Sequence, residues 1–320
     1  MKPRGWSATD VGLKRDHNED SFLCNDVLGL YAVADGMGGH LGGERASRMA
    51  VDVLEKEMTE RLAPVAEKAN PGAVAVALKE ATSLASQAIF DSAQAVPDLA
   101  GMGTTLTGLC FHGQSLTLCH VGDSRAYLMR DGRARQLTED HSWIQEQVRA
   151  GLLSPGDAMV SRFRNIITRS VGFEPTVAPD LFTMPVEPGD CYLICSDGLS
   201  NYFSVDEIGR ILASQFYSEA GRALVEIANE RGGDDNITCV IVYVGNTLEG
   251  ETRGKPASFA GGVPSREGMA RPRAARGWQG GRWVPRAKRT LSGFPSQSRT
   301  FLIMSSIRVR GTAPTSWPVT

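Results

Sequence analysis

Three apolar segments of strand length each run straight into an aspartate followed by a small residue: LYAVA into Asp35-Gly36, LCHVG into Asp123-Ser124, and YLICS into Asp197-Gly198. A fourth carboxylate, Asp235, stands in GGDDN just before the run ITCVIVYV, and the acidic group Arg15-Asp16-His17-Asn18-Glu19-Asp20 precedes the first run. Apolar runs bounded by Gly, Asp or Asn read as buried strands. A fold that gathers such strand ends brings several carboxylates together, and their mutual repulsion calls for a cation. Any one Asp-Gly pair is an ordinary turn. Asp35-Gly36 differs because Met-Gly-Gly-His-Leu-Gly-Gly follows it instead of a partner strand, and such glycines suit close backbone approach at a site.

The remaining pattern predicts an α+β domain. Strands are expected over Leu28–Ala34, Thr105–Phe111, Ser115–Val121, Arg125–Met129, Cys191–Cys195 and Ile237–Val244. Arg125–Met129 and Ala134–Leu137 flank Asp131-Gly132 and read as a hairpin. Apolar residues at three-to-four spacing predict helices over Gly43–Ala69 and Ala73–Ala93, separated by a turn at Asn70-Pro71-Gly72. A second pair is expected over Val205–Phe216 and Ser218–Arg231, with Ser204 and Ser218 as N-caps. Runs of strands followed by pairs of helices point to antiparallel sheets flanked by helices.

Charge divides the chain. Of 34 Lys and Arg and 36 Asp and Glu, residues 246–320 hold 13 bases and only three acids, leaving an acidic part over 1–245 and a basic tail. That tail contains ten Gly, seven Pro and eight Ser, too little apolar surface to offset ordering entropy, so it is expected to be disordered. Its bases are spread out between Gly and Pro, which argues against a nucleic-acid site and for a flexible appendage or an out-of-frame translation. Hydrophobic residues at 42% suffice for a core in the acidic part. No run reaches the roughly 18 apolar residues of a spanning helix, and the first ten residues lack a signal-peptide pattern. A cytoplasmic location without membrane attachment is therefore expected. Six cysteines without a CxxC pair read as buried free thiols.

The acidic residues offer hard oxygen ligands, which suit Mg²⁺ or Mn²⁺. Two such ions about 3.5–4 Å apart, bridged by one carboxylate, would activate a water and stabilise a phosphoryl oxyanion. Arg15 is suited to bidentate phosphate binding. Metal-assisted phosphoester hydrolysis is the reaction these residues favour.

The ordered motifs Arg15-xxx-Glu19-Asp20, Ala34-Asp35-Gly36-Met37-Gly38-Gly39-His40, Gly103-Thr104-Thr105-Leu106, Val121-Gly122-Asp123-Ser124-Arg125, Ser196-Asp197-Gly198-Leu199 and Gly233-Asp234-Asp235-Asn236 resemble those of the metal-dependent protein phosphatase 2C family, in its bacterial single-domain form. The resemblance spans nearly all of residues 5–245 and none of the tail, so the chain divides into a phosphatase domain over 1–245 and a tail over 246–320. It implies two packed antiparallel sheets flanked by helix pairs, in layers α-β-β-α. It also implies hydrolysis of phosphoserine and phosphothreonine in proteins by a water activated between two Mn²⁺ or Mg²⁺ ions. Asp35 would bridge both ions, Gly36 would supply a carbonyl ligand, and Asp197 and Asp235 would complete one ion's set. Glu19 and Asp20 would hold metal-bound waters, Arg15 the substrate phosphate, and Asp123 with Asp197 a weaker third ion. Gly151–Gly172 would be a mobile polar flap, with Pro155-Gly156, Arg162 and Arg164 in it.

Two departures stand out. Many eukaryotic members carry a histidine where this chain has Met37, which leaves His40 as the nearest candidate general acid. Asn201 stands where many members carry a further aspartate, which weakens the expected third site. His141 is expected to be structural, and Trp143 and Phe163 to pack in the core by default, with lining of the substrate path as the alternative. Partners implied are phosphorylated proteins made by a cognate serine/threonine kinase, acted on by a monomer. A phosphoprotein-binding regulator with a dead site is the competing reading, and intact Asp35, Asp197 and Asp235 weigh against it.

Overall fold

The computed structural model describes residues 1–62, 70–154, 156–157, 163 and 166–245, with His40 described as backbone only. The tail over 246–320 lies outside the described residues, as do Pro155, Arg162 and Arg164 of the expected flap.

Eleven strands are described: β1 (Lys2–Asp10), β2 (Asp20–Asn25), β3 (Leu30–Met37), β4 (Gly103–Thr104), β5 (Leu106–His112), β6 (Ser115–Val121), β7 (Arg125–Arg130), β8 (Arg133–Gln136), β9 (Asp180–Pro185), β10 (Cys191–Cys195) and β11 (Ile237–Gly245). Helices α1 (His40–Leu62) and α2 (Pro71–Ala95) follow β3; α3 (Trp143–Arg149) follows β8. The short α4 (Asp197–Ser200), α5 (Val205–Ser214) and α6 (Tyr217–Glu230) lie between β10 and β11. The strands form two antiparallel sheets, one in the order β1-β11-β10-β7-β8, the other β2-β3-β5-β6-β9 with β4 paired to β3.

Three apolar clusters define the layers. Leu54, Met58, Leu78 and Ile89 of α1 and α2 pack on Ala32, Ala34, Cys110 and Cys119 of the second sheet. Ile208, Leu212 and Leu224 of α5 and α6 pack on Leu193, Cys195 and Ile241 of the first. Tyr31, Val33, Leu116, Tyr192, Ile194 and Val240 fill the space between the sheets. The alternation along each strand sends one set of side chains to the helices and the other to the opposite sheet. The α-β-β-α layering expected of an α+β domain is thus present. Five of the six cysteines are buried, and Cys24 is half-buried.

Several local expectations need correction. Asn70-Pro71-Gly72 is a helix start: Asn70 caps α2 by accepting the Ala73 N–H at 2.8 Å, and Pro71 occupies its first turn, where a missing N–H costs nothing. Residues 63–69, expected to be helical, lie outside the described residues. Ser204 does cap α5, in a reciprocal pair with Glu207. Ser218 does not cap α6, because the helix already begins at Tyr217, with Phe216 as its N-cap. The hairpin at Asp131-Gly132 is present, with φ of 50° and 72°.

Candidate metal centre

The topology fixes where the acidic residues meet. β3 and β6 are each antiparallel to β5, so they point the same way, and Asp35 and Asp123 lie at one rim of the second sheet. Asp20, at the start of β2, is the register partner of Asp35. In the first sheet β10 ends where β11 begins, Cys195 opposite Cys239, which brings Asp197 and Asp235 to a common rim. Two hydrogen bonds join the rims. The Glu19 N–H donates to Asn236 Oδ1 at 2.8 Å, and the Ser196 hydroxyl donates to Asp20 Oδ2 at 2.9 Å.

The main chain of Asp35 is held on both sides. Its N–H donates to Thr105 Oγ1 at 2.9 Å, and its carbonyl accepts the Thr105 N–H and the Thr104 hydroxyl, each at 2.9 Å. The next N–H, from Gly36, donates to the Glu19 carbonyl at 3.1 Å. A Cβ on Gly36 would lie 2.1 Å from the Gly43 carbonyl oxygen, so only glycine lets α1 come this close to β3. Gly122, at φ 107°, turns the chain out of β6 into Asp123. Asn236 donates to the carbonyls of Val11 and His17 at 2.9 and 2.8 Å, fixing the Arg15–Asp20 loop against β11.

Thr105, Ser196 and Asn236 brace the carboxylate segments through these bonds, and the sequence motifs that contain them imply no role for them. Their signal was a small polar residue beside a strand-end aspartate, a pattern also common in plain turns.

The electrostatics are unfavourable without a counter-ion. Glu19, Asp123, Asp197 and Asp235 are buried. Burial pushes the Asp20 carboxyl up to about 7; the Thr238 and Ser196 hydroxyls oppose that rise, and the Asp235 and Asp197 charges add to it. Burial, then the charges of Asp20, Asp197, Asp235 and Asp123, hold Asp35 well above the usual carboxylate range. Burial and Asp197 do the same to Asp123. Asp20 Oδ1 and Asp123 Oδ1 are buried with no hydrogen-bond partner among the described residues. An oxygen-only, desolvated, mutually repelling set fits hard divalent cations. Among the described residues, no three His, Cys, Asp or Glu side chains already close around one point as a ligand set; the carboxylates are gathered where the rims of the two sheets adjoin.

These shifts have a pH consequence for metal-stripped protein. Groups whose folded-state carboxyl pKa is raised contribute stability that is full below the unfolded value and lost as pH rises through the folded value. For Asp20 that window runs from 3.8 to about 7, and Asp35 and Asp123 shift in the same sense. Metal-stripped protein is expected to show a higher urea midpoint near pH 5.5 than near pH 7.5, and Mn²⁺ should erase the difference. An equal or lower midpoint at pH 5.5 would count against the clustering.

Arg15 lies beside the carboxylates, its guanidinium 2.8 Å from Asp235 Oδ1. Asn201 donates to Asp197 Oδ2 at 3.3 Å. Met37 is buried, and His40 is the first residue of α1. His141 has the structural role expected of it: it is buried, accepts the Gly122 N–H on Nδ1 at 3.0 Å, and contacts Asp180 Oδ2 through Nε2 at 3.0 Å. That bond steadies the turn leading to Asp123. Trp143 meets Phe163 edge-on at 5.6 Å between ring centroids, but Phe163 is 47% exposed, so this pair is not core. The far end of the expected flap packs into the domain. Val171 is fully buried and bridges Thr104, and a Cβ on Gly172 would lie 2.1 Å from Ile89 Cγ2.

Comparison with known proteins agrees with this geometry. The profile of the family described as "Protein phosphatase 2C" matches residues 13–240. The serine/threonine phosphatase stp of Listeria monocytogenes is 38% identical over 246 residues, covering 76% of this chain and 96% of that protein. The serine/threonine protein phosphatase PstP of Mycobacterium tuberculosis is 35% identical over 294 residues, 92% of this chain, although this chain spans only 54% of that protein. A crystal structure of the M. tuberculosis phosphatase superposes with a TM-score of 0.71 at 36% identity, covering 77% of this chain and 100% of that one. The PstP catalytic domain in complex with two manganese ions gives a TM-score of 0.68 at 36% identity, covering 77% of this chain and 99% of that one.

Proposed function

Since the chain belongs to the protein phosphatase 2C family and is a metal-dependent serine/threonine protein phosphatase, we propose that residues 1–245 are its catalytic unit and that the carboxylate rim is its active site. The observation that carries this reading is the meeting of Asp20, Asp35, Asp123, Asp197 and Asp235 at adjoining rims of two sheets, with raised carboxyl pKa values at three of them.

In this reading Asp35, the Gly36 carbonyl, Asp197 and Asp235 would hold two Mn²⁺ or Mg²⁺ ions. Asp123 and Asp197 would hold a weaker third ion. The bound ions supply a water of lowered pKa and positive charge for the phosphoryl oxygens. Glu19 and Asp20 accept hydrogen bonds from waters at the rim and so orient them. Arg15 binds the substrate phosphate and sets its approach. The backbone bonds from Thr104, Thr105 and Gly36 keep the Asp35 main chain from moving as charge builds up, so little reorganisation accompanies the reaction. His40, at the head of α1 beyond the glycine loop, is the candidate proton donor to the leaving serine or threonine oxygen. The substrates are phosphoproteins made by a cognate kinase, and the enzyme works as a monomer in the cytoplasm. Among the described residues no helix is long and apolar enough to cross a membrane.

The test is hydrolysis of a phosphothreonine peptide and of an aryl phosphate by EDTA-stripped full-length chain, before and after Mn²⁺ is restored. Stripped protein should fall to background and Mn²⁺ should return its activity; turnover that survives EDTA overturns the reading.

A further inference from the structure

The guanidinium assigned to the substrate phosphate and the carboxylate assigned to the metal are already partners. Arg15 lies 2.8 Å from Asp235 Oδ1, with side-chain exposures of 32% and 12%. That oxygen also accepts the Asn236 N–H at 3.0 Å. Arg15 belongs to the loop that Asn236 ties down through the carbonyls of Val11 and His17. The pairing is therefore a built feature of the loop–β11 junction, and it is only partly open to water.

We propose that Arg15 is an internal competitor of the metal for Asp235, so that metal affinity and phosphate capture are coupled through one carboxylate. A fixed cation on a ligand's oxygen draws charge from that ligand and repels a second cation nearby. An incoming phosphate takes up the same guanidinium, withdraws it from Asp235 and leaves the carboxylate more available to the ion. Linkage then requires the converse: an ion drawing on Asp235 releases Arg15 towards phosphate. The enzyme without substrate holds its metal more loosely than its ligand set allows, and the substrate tightens it. The inference rests on the assignment of Asp235 as a metal ligand and of Arg15 as the phosphate ligand.

The decisive measurement is Mn²⁺ titration calorimetry on metal-stripped full-length chain, without phosphate, comparing wild type with Arg15→Ala, Arg15→Lys and Asp235→Asn. R15A is expected to bind Mn²⁺ more tightly, by roughly fivefold at low salt, with the gain shrinking as salt rises. The same variant should show a raised KM for an aryl phosphate and weaker inhibition by inorganic phosphate. R15K, which keeps the charge, should stay near wild type in Mn²⁺ affinity. D235N separates the two ways of failing. If D235N retains wild-type Mn²⁺ affinity, the ligand assignment itself is wrong. If D235N loses affinity while folded R15A binds Mn²⁺ no more tightly than wild type, the ligand stands and the competition is overturned. Near-ultraviolet circular dichroism establishes that each variant is folded, and a gain of affinity cannot arise from a damaged fold.

Discussion

Asp35→Asn is expected to lower kcat/KM by about three orders of magnitude or more and, in the metal-stripped protein, to raise the melting temperature. The two effects share one cause. Asp35 is the register partner of Asp20, and its carboxyl is held high by burial and by four neighbouring carboxylates. An amide of the same shape cannot ionise, so the repulsion that opposes ionisation of Asp35 is lost, but it also removes the group proposed to be shared by both ions. Each kcal/mol gained should appear as about 2–4 °C for a domain of this size. Activity is measured on an aryl phosphate with saturating Mn²⁺, and stability by thermal melts in EDTA. A D35N enzyme within tenfold of wild type would dismiss the shared-ligand role, whereas a lower melting temperature in EDTA would dismiss the electrostatic account of the cluster.

Gly198→Ala is expected to cost about 2–4 kcal/mol of stability, through overpacking at a site that cannot yield. The added Cβ would lie 2.0 Å from the Asn236 carbonyl oxygen and 3.2 Å from Asp235 Cβ. Backbone must therefore move between the start of α4 and the start of β11, the two places that carry Asp197 and Asp235. A shift on the order of 1 Å there should cost about a hundredfold in kcat/KM even at temperatures where the variant is folded. Gly113→Ala is the control. Gly113 has φ 59° with nothing within 4 Å of the added Cβ, so it should cost about 1 kcal/mol of backbone strain and leave turnover unchanged. Urea midpoints and kcat/KM for the two variants settle this. Equal effects in both would mean that the contact at Asn236 is of no consequence.

The reach of the sequence follows from which residues have to be buried on both sides. β3, β5, β6, β10 and β11 lie inside the sheets with helices or a second sheet on each face, so their sequences are continuous apolar runs and could be read directly. β1, β2 and β9 lie at sheet edges. KPRGWSATD, DSFLCN and DLFTMP bury fewer residues and carry charges or proline, so no periodicity announced them. The carboxylates were legible because each follows or precedes an apolar run. Thr105, Ser196 and Asn236 stand inside the motifs, but their bracing role is not legible there, because a hydroxyl or amide that fixes such a backbone looks the same in sequence as one that closes a turn. The pairing of Arg15 with Asp235 joins residues at opposite ends of the domain, and only the β1–β11 register brings them together.

That register also governs how the enzyme can be attached to anything else. Lys2 pairs with Gly245 at one end of the β1–β11 ladder, and Asp10 pairs with Ile237 at the other, next to Asp235. The backbone therefore enters and leaves the catalytic unit side by side, about 26 Å along the strands from the carboxylates at the usual rise per residue. A reporter inserted directly before Lys2 or directly after Gly245 would start at the pole opposite to the proposed metal centre. From that starting point it would alter where the phosphatase is placed while beginning a strand's length away from the carboxylates.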